Sequence, residues 1–549
     1  MDEVDKRPNP SEQPQILWQK SLEPARAEYR RCHSTDGLWS DLKDVHAERA
    51  IRHIYDPVAG WIEVEALVKI DMDNVFAAGA MRNCFRLKMF PRHTSAIHIG
   101  DWSYAENFLG KMYIKQEIDN RAAVLEDVTM QMDCKQWADK FNLKASEKHT
   151  SARLDMIRIS AIELVDRPDK PMLCCERFIE GEYKKYNSNS GFIEQSPDHK
   201  VRNTPQAFSH FTYESSGGQL IVVDVQGVGD LYTDPQIHSA DLTKYSGDAN
   251  LGLRGIAYFF ASHKCNAICH ALGLRPLATC DTDASRNGID GEEGLTQTMP
   301  SIMERVPSSI PSFMERVPSN GRHLRLQKYH GQTNEPSRIP VAVVPKGRVT
   351  DHEAMQVRIV ESEIPAEPLP EGAVHLEFAK MHLEGCFHEE PDTFAALFHL
   401  RLAAQVGHRG ALWIVAQLYK GIECADFPGV KVEEDHARST KLAKVAADHG
   451  VPGALFSLAR SAATLVERKV YYERAIALGG GDSAWGDGLY QLQHELAEIL
   501  QAGGEGLEAD PASAAELWLE AAEGAMGEGK MKLWQKYNTL AEEAQACVE

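Results

Sequence analysis

The sequence has no apolar run of the length that a membrane-spanning helix requires, about 18 or more consecutive residues. It also has no surplus of basic residues, because 59 lysines and arginines stand against 80 acidic residues, which gives a net charge of −21. A non-specific nucleic-acid binder needs a basic surface to neutralise phosphates. We therefore expect no contact with a membrane and no direct nucleic-acid partner.

The cysteine pattern and the first residues argue against a secreted protein. The 11 cysteines are odd in number and irregularly spaced, unlike those of a disulfide framework. Free or metal-bound thiols are typical of a reducing compartment. Residues 1–14 are polar and Pro-rich and contain no apolar core of a signal peptide. We expect a monomeric, cytoplasmic protein.

Two common signatures of phosphoryl transfer are also missing. Neither Asp-Phe-Gly nor His-Arg-Asp occurs in the chain, which excludes a conventional protein kinase. The P-loop signature, which ends in Gly-Lys-Ser or Gly-Lys-Thr, is absent as well, so a P-loop enzyme is not expected.

The chain is long enough for two to four domains, and its pattern changes along its length. Within residues 47–275, short runs rich in β-forming residues, such as 108–113 and 220–225, alternate with helical spacing over 124–141 and 255–272. This alternation predicts a mixed α+β domain.

Two other segments flank the α+β domain and lack its periodicity. Residues 1–46 are predicted to form an N-terminal tail. Residues 276–365 are dominated by Pro, Ser, Gly and Asn, and they contain a tandem repeat, 300–308 and 311–319, that is too short and too Pro-rich for a solenoid. We predict a largely disordered regulatory linker over 276–365.

From residue 366 to 549 the chain is Ala-rich and helical in pattern. Pairs of alanines beginning at Ala403, Ala446 and Ala521 are each followed by a glycine. Small residues let helices approach closely, and glycine can end a helix in a left-handed cap. Residues 510–518 resemble the second half of a Sel1-like repeat, which buries its faces only by stacking. We predict stacked helical repeats, with a plain helical bundle as the alternative.

Metal-binding side chains cluster near the end of the α+β region. His263, Cys265 and Cys269 lie close together in the chain, and the two cysteines have the spacing that shares one helical face. A tetrahedral zinc site takes such ligands, and His210 could supply the fourth. Buried free cysteines are common, so an ordinary pair of core thiols is the alternative.

A second motif follows an apolar strand that ends at Asp224. Gln226, several glycines and Asp234 come next. A carboxylate at a strand end can accept a proton from a hydroxyl group, while an amide and a second carboxylate can hold Mg²⁺. The alternative is a strand that leads into an ordinary Asp/Gly turn.

Three weaker signals accompany these motifs. Lys111 occurs in a predicted strand, where it could face a phosphate or simply be solvated. Arg82 ends a turn of small residues that begins at Gly79. Residues 248–255, which include Gly252 and Gly255, form a glycine loop that enters a helix but lacks the dinucleotide-binding fingerprint.

Together and in this order, the motifs resemble those of the alpha-kinase family. Three longer strings carry the resemblance, namely residues 186–192, 204–212 and 226–238. The resemblance is strong over 47–275, weaker over the C-terminal repeats and poor in the linker. It implies a two-lobed α+β kinase domain with ATP, Mg²⁺ and a structural Zn²⁺ ion.

The resemblance also implies a role for each motif. Lys111 would bind ATP phosphates, Asp224 would orient or deprotonate the substrate hydroxyl, and Gln226 with Asp234 would bind Mg²⁺. Further nucleotide contacts would come from the glycine turn, the hinge and the glycine loop, at Gly79, Arg82, Glu176, Phe178, Gly252 and Gly255. The zinc ligands would be His210, His263, Cys265 and Cys269.

Two positions depart from the family pattern. Ala249 stands where the family usually carries a glycine, which puts a close backbone approach there in doubt. Met112 replaces the basic residue expected after Lys111.

Regulation is implied by the same resemblance. Calmodulin would bind before the kinase domain, anchored by Trp18 and Leu22 among local basic residues, with a surface tail as the alternative. A linker threonine, Thr296 or Thr298, would be autophosphorylated and bind a basic pocket. That pocket would contain Arg202 and Thr204, and an unmodified linker is the alternative.

The function implied is phosphorylation of translation elongation factor 2 on threonine, which slows elongation. The C-terminal repeats would recruit the factor. Two rival hypotheses are an alpha-kinase that acts on another protein, such as a myosin tail, and a catalytically silent, zinc-bearing scaffold. The joint presence of Lys111, Asp224, Gln226 and Asp234 argues against the scaffold.

Overall fold

The computed structural model describes residues 37–79, 81–90, 102, 105–114, 120–194, 202–245, 247, 249–275, 359–387, 390–479 and 488–548. The chain divides into two compact units, Met1–Pro345 and Lys346–Glu549. Predictions for Trp18, Leu22, Thr296 and Thr298, and for most of the 276–365 linker, concern residues outside these ranges. Within the ranges, no helix combines the length and the apolar character that crossing a membrane demands.

Strands and helices alternate in the first unit, as the sequence pattern predicts. Its strands are β1 Glu48–Asp56, β2 Gly60–Ile70, β3 Ala77–Ala78, β4 Arg82–Met89, β5 Glu106–Tyr113, β6 Asp155–Met156, β7 Ile159–Leu164, β8 Met172–Arg177, β9 Tyr183–Lys185, β10 Leu220–Val223, β11 Gln226–Val228, β12 Leu231–Thr233 and β13 Gln236–Ser239. Its helices are α1 Asn120–Glu147, α2 Thr204–Ser215, α3 Gly252–Ser262 and α4 Ala267–Leu272.

The upper lobe of this unit is a closed antiparallel ring of strands. The order β2-β1-β7-β8-β5-β4 returns on itself because β4 also pairs with β2, through Val68↔Met89 and Ile70↔Leu87. Alternate residues of each strand fill the interior, among them Phe85, Phe108 and Leu173. Side chains alternate between the two faces of a strand, and Phe108 of β5 points into the ring. Lys111, three positions later, therefore points to the outer face, as Leu109 does.

Two helical segments cover that outer face. The α1 helix packs Val124 and Val128 against Ile159 and Cys174. A 3-10 helix, Gly37–Asp44, buries Trp39 and Leu42 beside strands β4 and β5. The folded unit therefore begins before residue 47, the start that the sequence pattern suggests.

The lower lobe combines the second half of α1 with two small sheets. The sheet β6-β12-β11-β9 and the pair β10-β13 bring the turns after β10 and β12 toward the ring. Phe141 of α1 packs edge-to-face against Phe208 and Phe211 of α2. The α1 helix thus contributes to the cores of both lobes.

Two predicted elements of this lobe differ from the structure. The strand expected over 220–225 ends at Val223. The helix expected over 255–272 is two helices, because His263 has an extended backbone and the Asn266 side chain caps α4 by accepting hydrogen bonds from the Ile268 and Cys269 N–H groups. Cys265 therefore lies in the connection between α3 and α4, and it does not share a helical face with Cys269.

The second unit is helical throughout its described part, and alanine dominates its buried faces. Its helices are α5 Glu371–Leu383, α6 Thr393–Gln405, α7 Arg409–Tyr419, α8 His436–Asp448, α9 Pro452–Ser461, α10 Leu465–Ala477, α11 Leu489–Ala502, α12 Pro511–Gly527 and α13 Met531–Ala546. Ile359 is buried in this core, so the helical unit begins before residue 366 and the predicted linker is too long.

The glycines of the repeating pattern have two different roles. Gly407 and Gly450 follow α6 and α8 with φ angles of 85° and 77°, as left-handed caps do. Gly524 lies inside α12 instead, where a Cβ atom would be 3.2 Å from Cβ of Tyr490. It permits a close helix contact, and the left-handed glycine after α12 is Gly529, with a φ of 73°.

Replacing Gly255 with alanine should destabilise the first unit. A Cβ atom at this position of α3 would lie 2.3 Å from the ring of His238, which is fully buried on β13. Overpacking of this kind costs about 1–3 kcal/mol, equivalent to about 3–10 °C in the unfolding temperature. Calorimetry of the full chain measures this decrease in unfolding temperature. Gly247→Ala, with no atom within 4 Å of the new Cβ, is the matched control; equal unfolding temperatures for both variants would contradict this packing.

Candidate active site and metal centre

A partly buried network of charges lies where the ring of strands meets the lower lobe. Lys111 on β5 places its Nζ atom 2.9 Å from Oε1 of Glu176 on β8 and 3.5 Å from Oδ1 of Asp234. The other oxygen of Glu176 accepts a hydrogen bond from Thr233 Oγ1 at 2.5 Å. The sequence placed Glu176 at the hinge near the adenine; the structure makes its carboxylate the ion-pair partner of the lysine.

Arg82, the first residue of β4, extends this network. Its Nη2 atom lies 2.5 Å from Oδ1 of Asp234, and its Nη1 atom lies 2.7 Å from Oδ2 of Asp127 on α1. Asp127 also accepts a hydrogen bond from the Tyr113 hydroxyl at 2.9 Å. Two cations and three carboxylates therefore meet in one cluster, in which Lys111 and Glu176 are buried and the other three are half-buried.

Asp224 lies beside this cluster, after the end of β10. Its Oδ1 atom is 2.5 Å from Nζ of Lys185 on β9. The Gln226 amide nitrogen donates to Oδ2 of Asp224 at 3.3 Å and to the main-chain oxygen of Asp234 at 3.2 Å. The structure thus brings together Lys111, Asp224, Gln226 and Asp234, which the sequence singled out separately.

The two aspartates have an unusual backbone. Asp224 has a φ of 60° and Asp234 a φ of 56°, both in the left-handed region that non-glycine residues rarely adopt. Such conformations concentrate at functional sites, where the surrounding contacts enforce them. The turn between them also needs Gly227, since a Cβ atom there would lie 2.2 Å from the Leu231 carbonyl oxygen.

The environments of the two carboxyl groups move their pKa values in opposite directions. Burial raises the pKa of Asp224 above its ordinary value, and the charge of Lys185 only partly opposes this. Burial also acts to raise the pKa of Asp234, but the charges of Arg82 and Lys111 outweigh it and hold that pKa well below the usual range. Opposite shifts in adjacent carboxyl groups are the pattern by which acid–base and charge-binding roles are divided.

The glycines and the phenylalanine predicted to contact a nucleotide have distinct local roles. The Gly79 N–H donates to the Arg82 carbonyl at 2.8 Å and closes the turn before β4. The Phe178 ring follows β8 and packs on Trp39 at 4.4 Å between centroids. Gly252 begins α3 with a φ of 60°. Gly255 is explained by its contact with His238, so its glycine requirement comes from packing.

Sequence reasoning missed two charged residues of the site, Lys185 and Asp127. Lys185 directly precedes the conspicuous string 186–192, which is the one signal that could have drawn attention to it. Asp127 is one acidic residue among several in a long helix, and no local pattern marks it. Only the packing of α1 against β4 reveals its contact with Arg82.

A separate cluster of metal-binding groups lies in the lower lobe. His210 Nδ1 is 3.7 Å from Cys265 Sγ, and His263 Nε2 is 3.7 Å from Cys269 Sγ. The four ligand atoms all lie within 4.8 Å of one another. Zinc–ligand bonds of about 2.0–2.3 Å in a tetrahedron give ligand separations of about 3.3–3.8 Å, so the set fits a zinc ion.

The proposed phosphothreonine pocket is partly occupied by internal contacts. The guanidinium of Arg202 forms an ion pair with Asp230. Thr204 is the first residue of α2 and is largely buried. A phosphate at this place would therefore have to compete with the Asp230 carboxylate for Arg202.

Comparison with known proteins relates this site to one family. The alpha-kinase family profile matches residues 77–269, which include both clusters. Human eukaryotic elongation factor 2 kinase is 31% identical over 661 aligned positions, covering 97% of this chain and 88% of the human protein. The enzyme of that name from Caenorhabditis elegans is 44% identical over 260 positions, covering 47% of this chain and 31% of the relative.

Other alpha-kinases match a shorter part of the chain. Myosin heavy chain kinase B of Dictyostelium discoideum is 40% identical over 235 positions, covering 42% of this chain and 29% of the relative. The crystal structure of the alpha-kinase domain of myosin heavy chain kinase A in complex with AMP is 36% identical, with a TM-score of 0.37, and covers 42% of this chain and 100% of that domain.

The family profile, the near-full-length relatives and the cluster of Lys111, Asp224, Gln226 and Asp234 agree with one another. The chain belongs to the alpha-kinase family of protein serine/threonine kinases, in the group of the eukaryotic elongation factor 2 kinases.

Proposed function

We propose that this kinase phosphorylates translation elongation factor 2 on threonine and thereby slows translation elongation in the cytoplasm. One observation carries the proposal: the similarity to relatives named for this substrate extends over 97% of the chain and so includes the helical unit. The similarity to myosin heavy chain kinase B covers only 42% of the chain. A shared helical unit supports a shared protein substrate, since the kinase domain alone is common to both groups.

Lys111 and Arg82 are suited to bind the phosphates of ATP. Lys111 is buried and Arg82 is half-buried, and both contact Oδ1 of Asp234. Arg82 also pairs with Asp127, and Lys111 also pairs with Glu176, so both cations are held in position before the nucleotide binds. Phosphoryl transfer depends mainly on such positioning and on neutralisation of the phosphate charge.

Gln226 and Asp234 are suited to hold Mg²⁺, which neutralises charge on the transferred phosphoryl group. Asp234 stays ionised because of its cationic neighbours, and carboxylate and amide oxygens are the ligands that Mg²⁺ prefers. The amide nitrogen of Gln226 already donates two hydrogen bonds, which leaves its amide oxygen as the ligand atom.

Asp224 is the proposed acceptor of the threonine hydroxyl proton. As the hydroxyl oxygen forms its bond to the γ-phosphorus, the bond to ADP breaks and the proton passes to the Asp224 carboxylate. Lys185 orients that carboxylate, and its charge lowers the pKa of Asp224 against the opposing effect of burial.

A zinc ion bound by His210, His263, Cys265 and Cys269 would have a structural role. Four protein ligands leave no open position for chemistry, as is usual in structural zinc sites. The ion would fasten the connection between α3 and α4 to helix α2, because His210 lies on α2 and the other three ligands lie beyond α3.

Regulation is proposed to act through parts of the chain that flank the kinase domain. Calmodulin loaded with Ca²⁺ would bind at Trp18 and Leu22, and phosphorylated Thr296 or Thr298 would bind at Arg202 and Thr204. The helical unit, proposed to be built of Sel1-like repeats, would recruit elongation factor 2. The kinase is proposed to act as a monomer.

A kinase assay with intact elongation factor 2 tests the function. The purified protein with ATP, Mg²⁺ and calmodulin should phosphorylate a threonine of the factor, at a higher rate with Ca²⁺ than without it. Asp224→Asn should lose about 10²-fold or more of the rate, because it removes the proton acceptor. Efficient phosphorylation of a myosin tail but not of the factor would support the alternative substrate and contradict this proposal.

Removing Lys185 should shift the pH dependence of kcat. Because the charge of Lys185 lowers the pKa of Asp224, Lys185→Met should raise that pKa further. The carboxylate is then protonated at higher pH, so the acid limb of the kcat profile moves to higher pH. Lys184→Met, whose lysine instead pairs with Glu182, is the matched control and should leave the limb in place. An unmoved limb in Lys185→Met would refute the role of Asp224 as base.

Metal analysis tests the zinc centre. The purified wild-type chain should contain about one zinc ion, whereas Cys269→Ser should lose it and unfold at lower temperature, since one of four ligands is gone. Cys424→Ser changes a thiol of the helical unit, outside the cluster, and should retain the metal. A wild-type chain purified without chelators that holds no zinc would rule the site out.

A further inference from the structure

The backbone of Asp234 requires an external support. Its left-handed φ of 56° is unfavourable for an aspartate, and such a conformation persists only when its surroundings enforce it. The main-chain oxygen of Asp234 accepts a hydrogen bond from Gln226. The main-chain N–H group on the other side of the residue needs a partner of its own, because it is inside the protein.

That partner comes from the long helix α1. The side-chain oxygen of Gln131 accepts a hydrogen bond from the Asp234 N–H at 3.2 Å. The amide nitrogen of the same side chain donates to the Ile157 carbonyl at 2.9 Å. Gln131 is only 2% exposed, so these two bonds are made away from solvent.

Asp127 lies one helical turn before Gln131 on the same face of α1. It holds Arg82, whose other arm contacts the Asp234 carboxylate. One face of α1 thus fixes the main chain of Asp234 through Gln131 and the cation opposite its side chain through Asp127. Neither contact involves the carboxylate oxygens of Asp234 directly.

We propose that Gln131 is a positioning residue of the kinase site, which holds the strained backbone of Asp234 so that its carboxylate is presented to the Mg²⁺–nucleotide. The proposal rests on the function proposed above for Asp234. The amide oxygen carries the proposed role, because it accepts from the Asp234 N–H, and the amide nitrogen helps to orient the side chain by donating to Ile157. An apolar side chain of similar size would leave a buried N–H and a buried carbonyl unpaired.

Gln131→Met tests the proposal, because methionine keeps the length of the side chain and removes both hydrogen bonds. The concentration of Mg²⁺ that gives half-maximal activity should rise about fivefold to tenfold, as expected when a buried group loses its partner. High Mg²⁺ should restore most of kcat. Hydrogen exchange of the Asp234 amide, followed by mass spectrometry of a peptide over residues 231–236, should accelerate by a similar factor.

Gln136→Met is the matched control, since it makes the same change on the same helix at a half-buried position that does not share the helical face of Asp127 and Gln131. It should leave both the Mg²⁺ dependence and the amide exchange unchanged. If Gln131→Met lowers the unfolding temperature but leaves the half-maximal Mg²⁺ concentration unchanged, Gln131 is only a packing residue and the proposal is overturned.

A second variant and a direct mutation of the carboxylate separate the remaining outcomes. Gln131→Glu retains the acceptor for the Asp234 N–H, so amide exchange there should stay close to that of the wild type; acceleration equal to that in Gln131→Met would overturn the proposal. Asp234→Ala should abolish activity. If it does so while Gln131→Met behaves as wild type, the positioning role fails and the role of Asp234 stands; if Asp234→Ala is fully active, both fail.

Discussion

The site depends on the contact of two cations and three carboxylates in one contiguous cluster, built around the buried pair of Lys111 and Glu176. Arg82 and Lys111 both contact the same oxygen of Asp234, and Asp127 and Glu176 take up their remaining contacts. Losing one partner of the buried Lys111–Glu176 pair would cost about 3–5 kcal/mol, because the other charge would be left in a medium that solvates it poorly. The five side chains therefore fix one another, and the arrangement persists before any nucleotide binds.

This cluster also joins the two lobes of the kinase domain. Arg82, Lys111 and Glu176 belong to the closed ring of strands, whereas Asp234 follows β12 in the lower lobe. Helix α1 reinforces the junction, since its first half packs on the ring and its second half packs in the lower core. The same helix supplies Asp127 and Gln131 to the charged cluster and its backbone supports. Catalytic geometry and domain architecture thus rest on the same contacts.

The helical unit is held together differently, by close packing of small residues. Alanines of α6, α8 and α12 are fully buried, and left-handed glycines end several of the helices. Helices that meet through alanine approach closely, and stacked helices of this kind can form an extended surface. Such a surface suits the proposed recruitment of a large protein substrate, which a kinase cleft alone would contact over only a short segment.

The local sequence determined the elements and the chemistry that each residue can perform. The apolar strand before Asp224, the helical period over 124–141 and the pairs of alanines each follow from propensity and periodicity, which act over a few residues. The cluster of His210, His263, Cys265 and Cys269 could be suggested from residue types and spacing, although the break between α3 and α4 was missed because it depends on a cap at Asn266.

Tertiary structure alone decided which charges meet. Lys111 and Glu176 lie diagonally on the adjacent strands β5 and β8, and Asp127 and Lys185 reach the site from α1 and β9, at separations in the chain that no local pattern records. The left-handed backbone at Asp224 and Asp234 is likewise imposed by distant contacts, against the preference of the residues themselves. The sequence by itself therefore established which residues are available for phosphoryl transfer. The long-range packing of the ring, α1 and the lower lobe established how they are arranged, because ion pairing between distant segments is a property of the folded chain.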